Sequence, residues 1–176
     1  MRRCLPVMVL RALFAATAAF VTPARAQMDY SAMEGAWRRS FPNQDGNGRR
    51  ITSENILEIV RVTDDTAYIR IRLQFANGHQ CNSWGIARAE EDQLVYRRPA
   101  QPGQPGCVLQ VRMRAGGMTL TDVGGHCQAT DCGARGSYDG EAFPLESRRR
   151  ITYLDRLRAG QEYRDALAEF PRSPRR

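Results

Sequence analysis

The residues best equipped for chemistry lie in one run, GGHCQATDCGARGSYDG, residues 124–140. His126 stands beside Cys127, Cys132 follows five residues on, and a second histidine, His79, stands two residues before Cys81. Imidazole nitrogen and thiolate sulfur are the ligands of a soft, tetrahedral, zinc-like centre. Two nearby cysteines can instead form a redox pair or a structural disulfide. The spacing argues against the metal: H-x-C and H-C-x4-C are not the C-x2-C knuckles of structural zinc. The choice turns on the compartment in which the chain resides.

The chain opens MRRCLPVMVLRALFAATAAFVTPARA. Arg2 and Arg3 form a charged start, an apolar stretch runs from Leu5 to Val21 with Arg11 inside it, and Ala24-Arg25-Ala26 is a small-x-small cleavage pattern. This reads as a secretory signal peptide over residues 1–26, cut after Ala26. No uninterrupted apolar run reaches the ~18 residues a membrane span needs. Cys4 leaves with the leader. An exported location, periplasmic or extracellular, follows. Four cysteines then remain, Cys81, Cys107, Cys127 and Cys132, and an even number in an oxidising compartment reads first as two disulfides. Three connectivities are open. Cys127–Cys132 with Cys81–Cys107 is favoured, and Cys107–Cys127 with Cys81–Cys132 stands second. A metal- or redox-active site at His79, Cys81, His126 and Cys127 remains the alternative.

All 26 basic residues are arginine. Residues 27–147 hold 13 Arg against 15 acids, whereas residues 148–176 hold 9 against 4. The body is thus near neutral and the C-terminal segment basic. Such a segment could meet an anionic partner, but it reads first as a solvated helix. Aromatics interleaved for stacking on bases are missing, so no nucleic-acid partner is expected. Neither G-x-S-x-G nor H-E-x-x-H occurs. Glu90-Glu91-Asp92 and Asp64-Asp65 fall in turns. The sequence therefore offers no catalytic residue, no cofactor motif and no convincing metal site.

The elements that position these residues alternate. In TAYIRIRLQF, Ile69, Ile71, Leu73 and Phe75 share one face and Arg70, Arg72 and Gln74 the other, a half-buried strand. NILEIVRV (55–62) precedes it. Asn77-Gly78 is a hairpin turn, followed by strands at 80–89, 93–98, 107–114 and 118–122. MEGAWRR (33–39) supplies a first strand, FPNQDGNG (41–48) a loop, and ARGSYDGEAF (134–143) a last strand. PAQPGQPG (99–106) is a loop. The expected fold is mainly β: a small antiparallel up-and-down barrel or sandwich of seven or eight strands over residues 27–147. From Ser147 the apolar spacing becomes helical, with Ile151, Leu154, Leu157, Tyr163, Leu167 and Phe170 on one stripe and Gly160 between two halves. A C-terminal helix or helix pair over 148–170 should pack on the barrel wall or across one opening. Pro171 ends it, and 171–176 reads as a disordered tail.

Following a regular meander, the four cysteines and both histidines collect at one pole. There His79, Trp84, His126 and Arg135 are candidates for a binding rim. Trp37 and Trp84 suit barrel core or end-plug positions.

Gly35-Ala36-Trp37 at the first strand, successive hairpins and a helix after the last strand resemble the calycin, or lipocalin-like, plan. That family carries G-x-W near the N-terminus, here Gly35 and Trp37. The resemblance implies a secreted, disulfide-bonded barrel that holds a small apolar ligand. In export signal, cysteines and a compact β domain the chain is also similar in type to periplasmic lysozyme-inhibitor proteins. The leading expectation is an exported, non-enzymatic barrel that binds a small apolar ligand or a cell-envelope component. The alternative is a protein-interaction or inhibitor module presenting loops 99–106 and 123–132.

Overall fold

The computed structural model describes residues 29–172. The leader expected over residues 1–26 lies outside them, as do the last four residues of the expected tail.

Eight antiparallel strands follow one another in chain order: β1 (Gly35–Gln44), β2 (Arg50–Arg61), β3 (Thr66–Gln74), β4 (Gln80–Glu90), β5 (Gln93–Arg98), β6 (Cys107–Arg114), β7 (Gly117–Asp122) and β8 (Ala142–Pro144). Each pairs with its neighbour in sequence, giving a nearly closed up-and-down barrel. A backbone bridge closes the ring beyond β8: Ala36 N–H donates to Arg149 O and Arg149 N–H to Ala36 O, both at 2.8 Å. Three short helices complete the fold, α1 (His126–Asp131), α2 (Leu154–Ala159) and α3 (Gln161–Glu169).

The alternation read from the sequence sorts the side chains. Ile69, Ile71 and Leu73 point inward and are fully buried. They meet Trp37, Leu57, Leu109, Tyr138 and Phe143 in the interior, none of them exposed. Burial of such side chains contributes about 1.5–3 kcal/mol each. A short turn at Ser31–Met33 seats Tyr30 and Met33 in the same core at the upper end of the barrel, where β2 turns into β3, opposite the lower end with the Asn77-Gly78 turn. Trp37 Nε1 donates to Met33 O at 2.8 Å, and the Tyr30 hydroxyl donates to Thr66 O at 2.7 Å. The G-x-W pattern thus marks where the N-terminal turn is tied into the barrel.

The outer face of β3 corrects a simple polar-out reading. Tyr68 is fully buried there, and Ile86, Ile151, Leu157, Tyr163 and Ala166 join it in a second apolar cluster. The C-terminal helices therefore lie on the wall, not across an opening. Gly160 separates α2 from α3, extended at φ −68° and ψ 152°. Beneath the helices Glu58, 2 % exposed, accepts hydrogen bonds from Arg70 Nε and the Tyr153 hydroxyl. Glu162 of α3 meets Arg70 and Arg72, each at 3.2 Å.

Three expected boundaries shift. The loop placed at 41–48 shrinks to residues 45–49: β1 continues to Gln44 against Arg50 of β2, and Asp45 Oδ1 accepts from the Asn47 and Arg49 amides at 2.9 and 3.0 Å. The last strand is three residues long and begins at Ala142; residues 134–141 are irregular. The glycine-rich loop contains α1.

Candidate functional site

The lower pole holds the residues the sequence singled out. Asp122, 3 % exposed at the end of β7, accepts from the Cys127 amide at 3.1 Å and the Gln128 amide at 2.7 Å. This anchors the first turn of α1, whose amides lack intrahelical acceptors. Gly124 and Gly125 take φ of 77° and 70°, the left-handed region that lets the chain turn into the helix.

The sulfurs pair as Cys81–Cys132 and Cys107–Cys127. The favoured connectivity, Cys127–Cys132 with Cys81–Cys107, is overturned. Residues five apart around a helical turn diverge by about 140°. Cys127 is buried toward the start of β6, and Cys132, at the helix end, forms a backbone bridge with Cys81. Oxidised cysteines present no thiolate to a metal or a substrate. Among the described residues no group of three His, Cys, Asp or Glu side chains is placed to hold a metal ion.

The rim candidates occupy different surroundings. His79 is half-buried in the turn before β4, with Nδ1 so close to Gly133 that a Cβ there would lie 2.7 Å away. His126 begins α1 and is exposed, its Nε2 over Gly124. Arg135 is exposed beyond α1. Trp84 faces the outer wall and packs half-buried against the cluster under the C-terminal helices.

Sequence reasoning missed a polar seam at this pole. β4 and β5 pair only through Ala87–Glu90 with Gln93–Tyr96, so the lower half of β4 separates from β5. The α1 segment fills the gap. Gly133 N–H donates to Gln80 O at 2.9 Å. Arg98 Nη1 meets Asp131 Oδ1 at 2.5 Å, and Asp131 Oδ2 accepts from the Ser83 hydroxyl. Ser83 in turn shares a hydrogen bond of 2.7 Å with the Tyr138 hydroxyl. Burial raises the Tyr138 phenol well above its ordinary range, against the opposing effect of the Ser83 bond. Ser83, Arg98 and Asp131 are 15 residues or more apart in sequence, and no local spacing announces them. The arrangement bridges β4, β5 and the α1 segment where the β4 and β5 backbones part.

Several concave surfaces lie outside the barrel, one of about 320 Å³ at the lower pole between α1 and residues 132–134. A groove of about 110 Å³ runs along the seam, lined by Gly85, Tyr96, Arg98 and Phe170 among others. A cleft of about 410 Å³ separates β3 from the helices near Tyr68, Arg72 and Glu162. The most spacious of these, about 810 Å³, lies at the upper pole, far from both disulfides along the strands. Val60, Ile151 and Leu154 contribute apolar surface there, and Arg61, Arg148, Arg149, Arg150 and Arg158 the charge. Only Glu34 and Asp155 oppose them in the lining.

Comparison with protein-family models, with curated proteins and with solved structures returns no match. The eight-stranded barrel is compatible with a lipocalin-like fold on its architecture alone. Among the described residues no helix is long and apolar enough to cross a membrane.

Proposed function

We propose that this chain is an exported, non-enzymatic binding protein that engages a cell-envelope component on the outside of its barrel. The observation that carries the reading is that the large inward side chains are shut off from solvent while the concave surfaces lie on the outside of the barrel. Trp37, Tyr138, Phe143, Leu57 and Leu109 cluster inside and are fully buried. The small apolar ligand implied by the calycin resemblance would have to enter among them. The outer clefts need no such rearrangement. Two disulfides at one pole support an oxidising environment.

Mass spectrometry of the exported protein tests the reading in one experiment. It should give a chain starting at Gln27, no free thiol and no co-purifying apolar molecule. A stoichiometric retained hydrophobe without a phosphate or other charged head group would return the interior to consideration and sink the outer-surface reading.

A second reading uses the lower pole as a protein-interaction face. Its support is the exposed Val123, 44 % accessible, on a loop braced by the Cys107–Cys127 bond. Cross-linking from a photoreactive residue at position 123 to a single envelope protein would favour it. Failure to capture any defined partner would leave the first reading in place.

A further inference from the structure

We infer that the arginine cleft at the upper pole is a binding site for a phosphate-bearing ligand. The inference rests on the reading of the chain as an outer-surface binding protein and names the chemistry of what it binds.

The argument begins with how each guanidinium spends its donors. Arg61 is neutralised, its Nε 2.6 Å from Glu34 Oε1. Arg148 is not. Its Nε donates to Glu34 O at 2.7 Å and its Nη2 to Ser31 O at 3.0 Å, both backbone carbonyls. Arg149 Nη1 donates to Glu146 O at 2.5 Å and Arg148 O at 2.8 Å, again carbonyls. Carbonyl oxygens orient a guanidinium without cancelling its charge. They also leave donors unused: Nη1 of Arg148, and Nε and Nη2 of Arg149, have no partner among the described residues. Arg150 and Arg158 form no side-chain hydrogen bond or ion pair among the described residues, and both are exposed.

Four cations without a carboxylate partner among the described residues thus line one concavity. Their mutual repulsion is unfavourable in the empty protein, and an anion relieves it. A single carboxylate cancels one charge. A phosphate group carries up to about two charges and three acceptor oxygens, enough to engage more than one planar guanidinium at once. Because Arg148 and Arg149 are already held, less side-chain entropy is lost on binding. The apolar patch formed by Val60, Ile151 and Leu154 gives the non-phosphate part of a ligand a surface to rest on.

Two sources share this chemistry, a soluble phosphate compound and a phospholipid headgroup. The test uses the full mature chain. Inorganic tripolyphosphate is titrated by calorimetry, with citrate as a non-phosphate polyanion for comparison. Separately, flotation is measured with vesicles of phosphatidylcholine alone or mixed with phosphatidic acid. The expected result is saturable binding of tripolyphosphate well above citrate. Flotation with the phosphatidic acid vesicles in addition assigns the lipid source; its failure assigns the soluble one. Arg150→Ala and Arg158→Ala, both at exposed positions, should each weaken binding by about tenfold. Asp155→Asn, which removes an opposing carboxylate, should strengthen it. That gain cannot come from a misfolded variant. Equal binding of citrate and tripolyphosphate would overturn the phosphate assignment. Binding of neither, or binding indifferent to Arg150, Arg158 and Asp155, would overturn the site. Neither result touches the outer-surface reading, which falls instead on a retained interior ligand.

Discussion

Glu58 is the residue on which the wall beneath the helices depends. It is a buried carboxylate whose charge is matched by Arg70 and whose remaining lone pairs are used by Tyr153. Removing it leaves the half-buried Arg70 with Glu162 as its remaining carboxylate partner among the described residues. Glu58→Ala should cost about 3 kcal/mol, measured by urea unfolding. Glu58→Gln, which keeps an acceptor oxygen for Arg70 and can turn its amide N–H toward the Tyr153 hydroxyl oxygen, should cost less. Equal stability of Glu58→Ala and the native chain would show that the helices do not bury this pair. The tyrosines make a second residue-scale statement. Burial pushes the Tyr96 phenol up to about 12, against the lowering influence of Arg98, from an ordinary 10.0. Burial raises Tyr68 and Tyr138 as well. A phenol with a raised folded pKa holds its proton more tightly in the native state. Its contribution to stability is complete below about pH 10 and drains away as the pH climbs toward 12. Tyrosinate absorbance and circular dichroism should therefore change together in this window. Full phenol ionisation near pH 10 with the fold intact would contradict the burial.

Among the elements, β1 and the segment after β8 are the least redundant. Gly35 has φ 133°, and a Cβ there would sit 2.7 Å from Arg149 O. Gly35→Ala combines backbone strain with displacement of the closing bridge and should cost about 1–3 kcal/mol. Hydrogen exchange supplies the check: the Ala36 and Arg149 amides should lose protection before those of β3. The hairpins themselves were legible in the sequence. Ile69, Ile71 and Leu73 alternate with arginines, and Asn77-Gly78 supplies two residues at positive φ, 60° and 76°. Less legible were the elements held by distant partners. α1 is six residues long, too short to persist alone, and depends on Asp122 and on two disulfides. β8 has three residues and is specified by β7. The favoured cysteine pairing failed because the loop was read without its helix. The arginine cleft was half visible, as the basic character of residues 148–176. That Arg148 and Arg149 turn to backbone carbonyls more than 100 residues away, or only next door, could not be read from charge alone.

At the scale of the whole molecule, the two disulfides act on the same pole through different loops. Cys81–Cys132 spans 51 residues and Cys107–Cys127 spans 20. Loop-closure entropy assigns them about 4 and about 3 kcal/mol respectively. Replacing Cys81 and Cys132 by serine should lower the melting temperature more than replacing the other pair. Peptide mapping without reduction should recover these two linkages; a peptide joining Cys127 to Cys132 would refute the pairing. The charge of the molecule is arranged just as unevenly. The disulfide pole lies at one end of the strands and the arginine cleft at the other, so the scaffold can be braced at one end while it binds at the other.

The Ala36–Arg149 bridge has a consequence for how the protein is made. Every strand pairs with its predecessor, so a chain emerging N-terminus first can lay down β1 to β7 hairpin by hairpin. It cannot close the ring until Arg149 has emerged, 113 residues after Ala36. Until then β1 keeps an unpaired edge, open to strands of other nascent chains. A ribosome that stalls before residue 149 therefore leaves an open, adhesive sheet, and the final basic segment is what turns that sheet into a closed barrel.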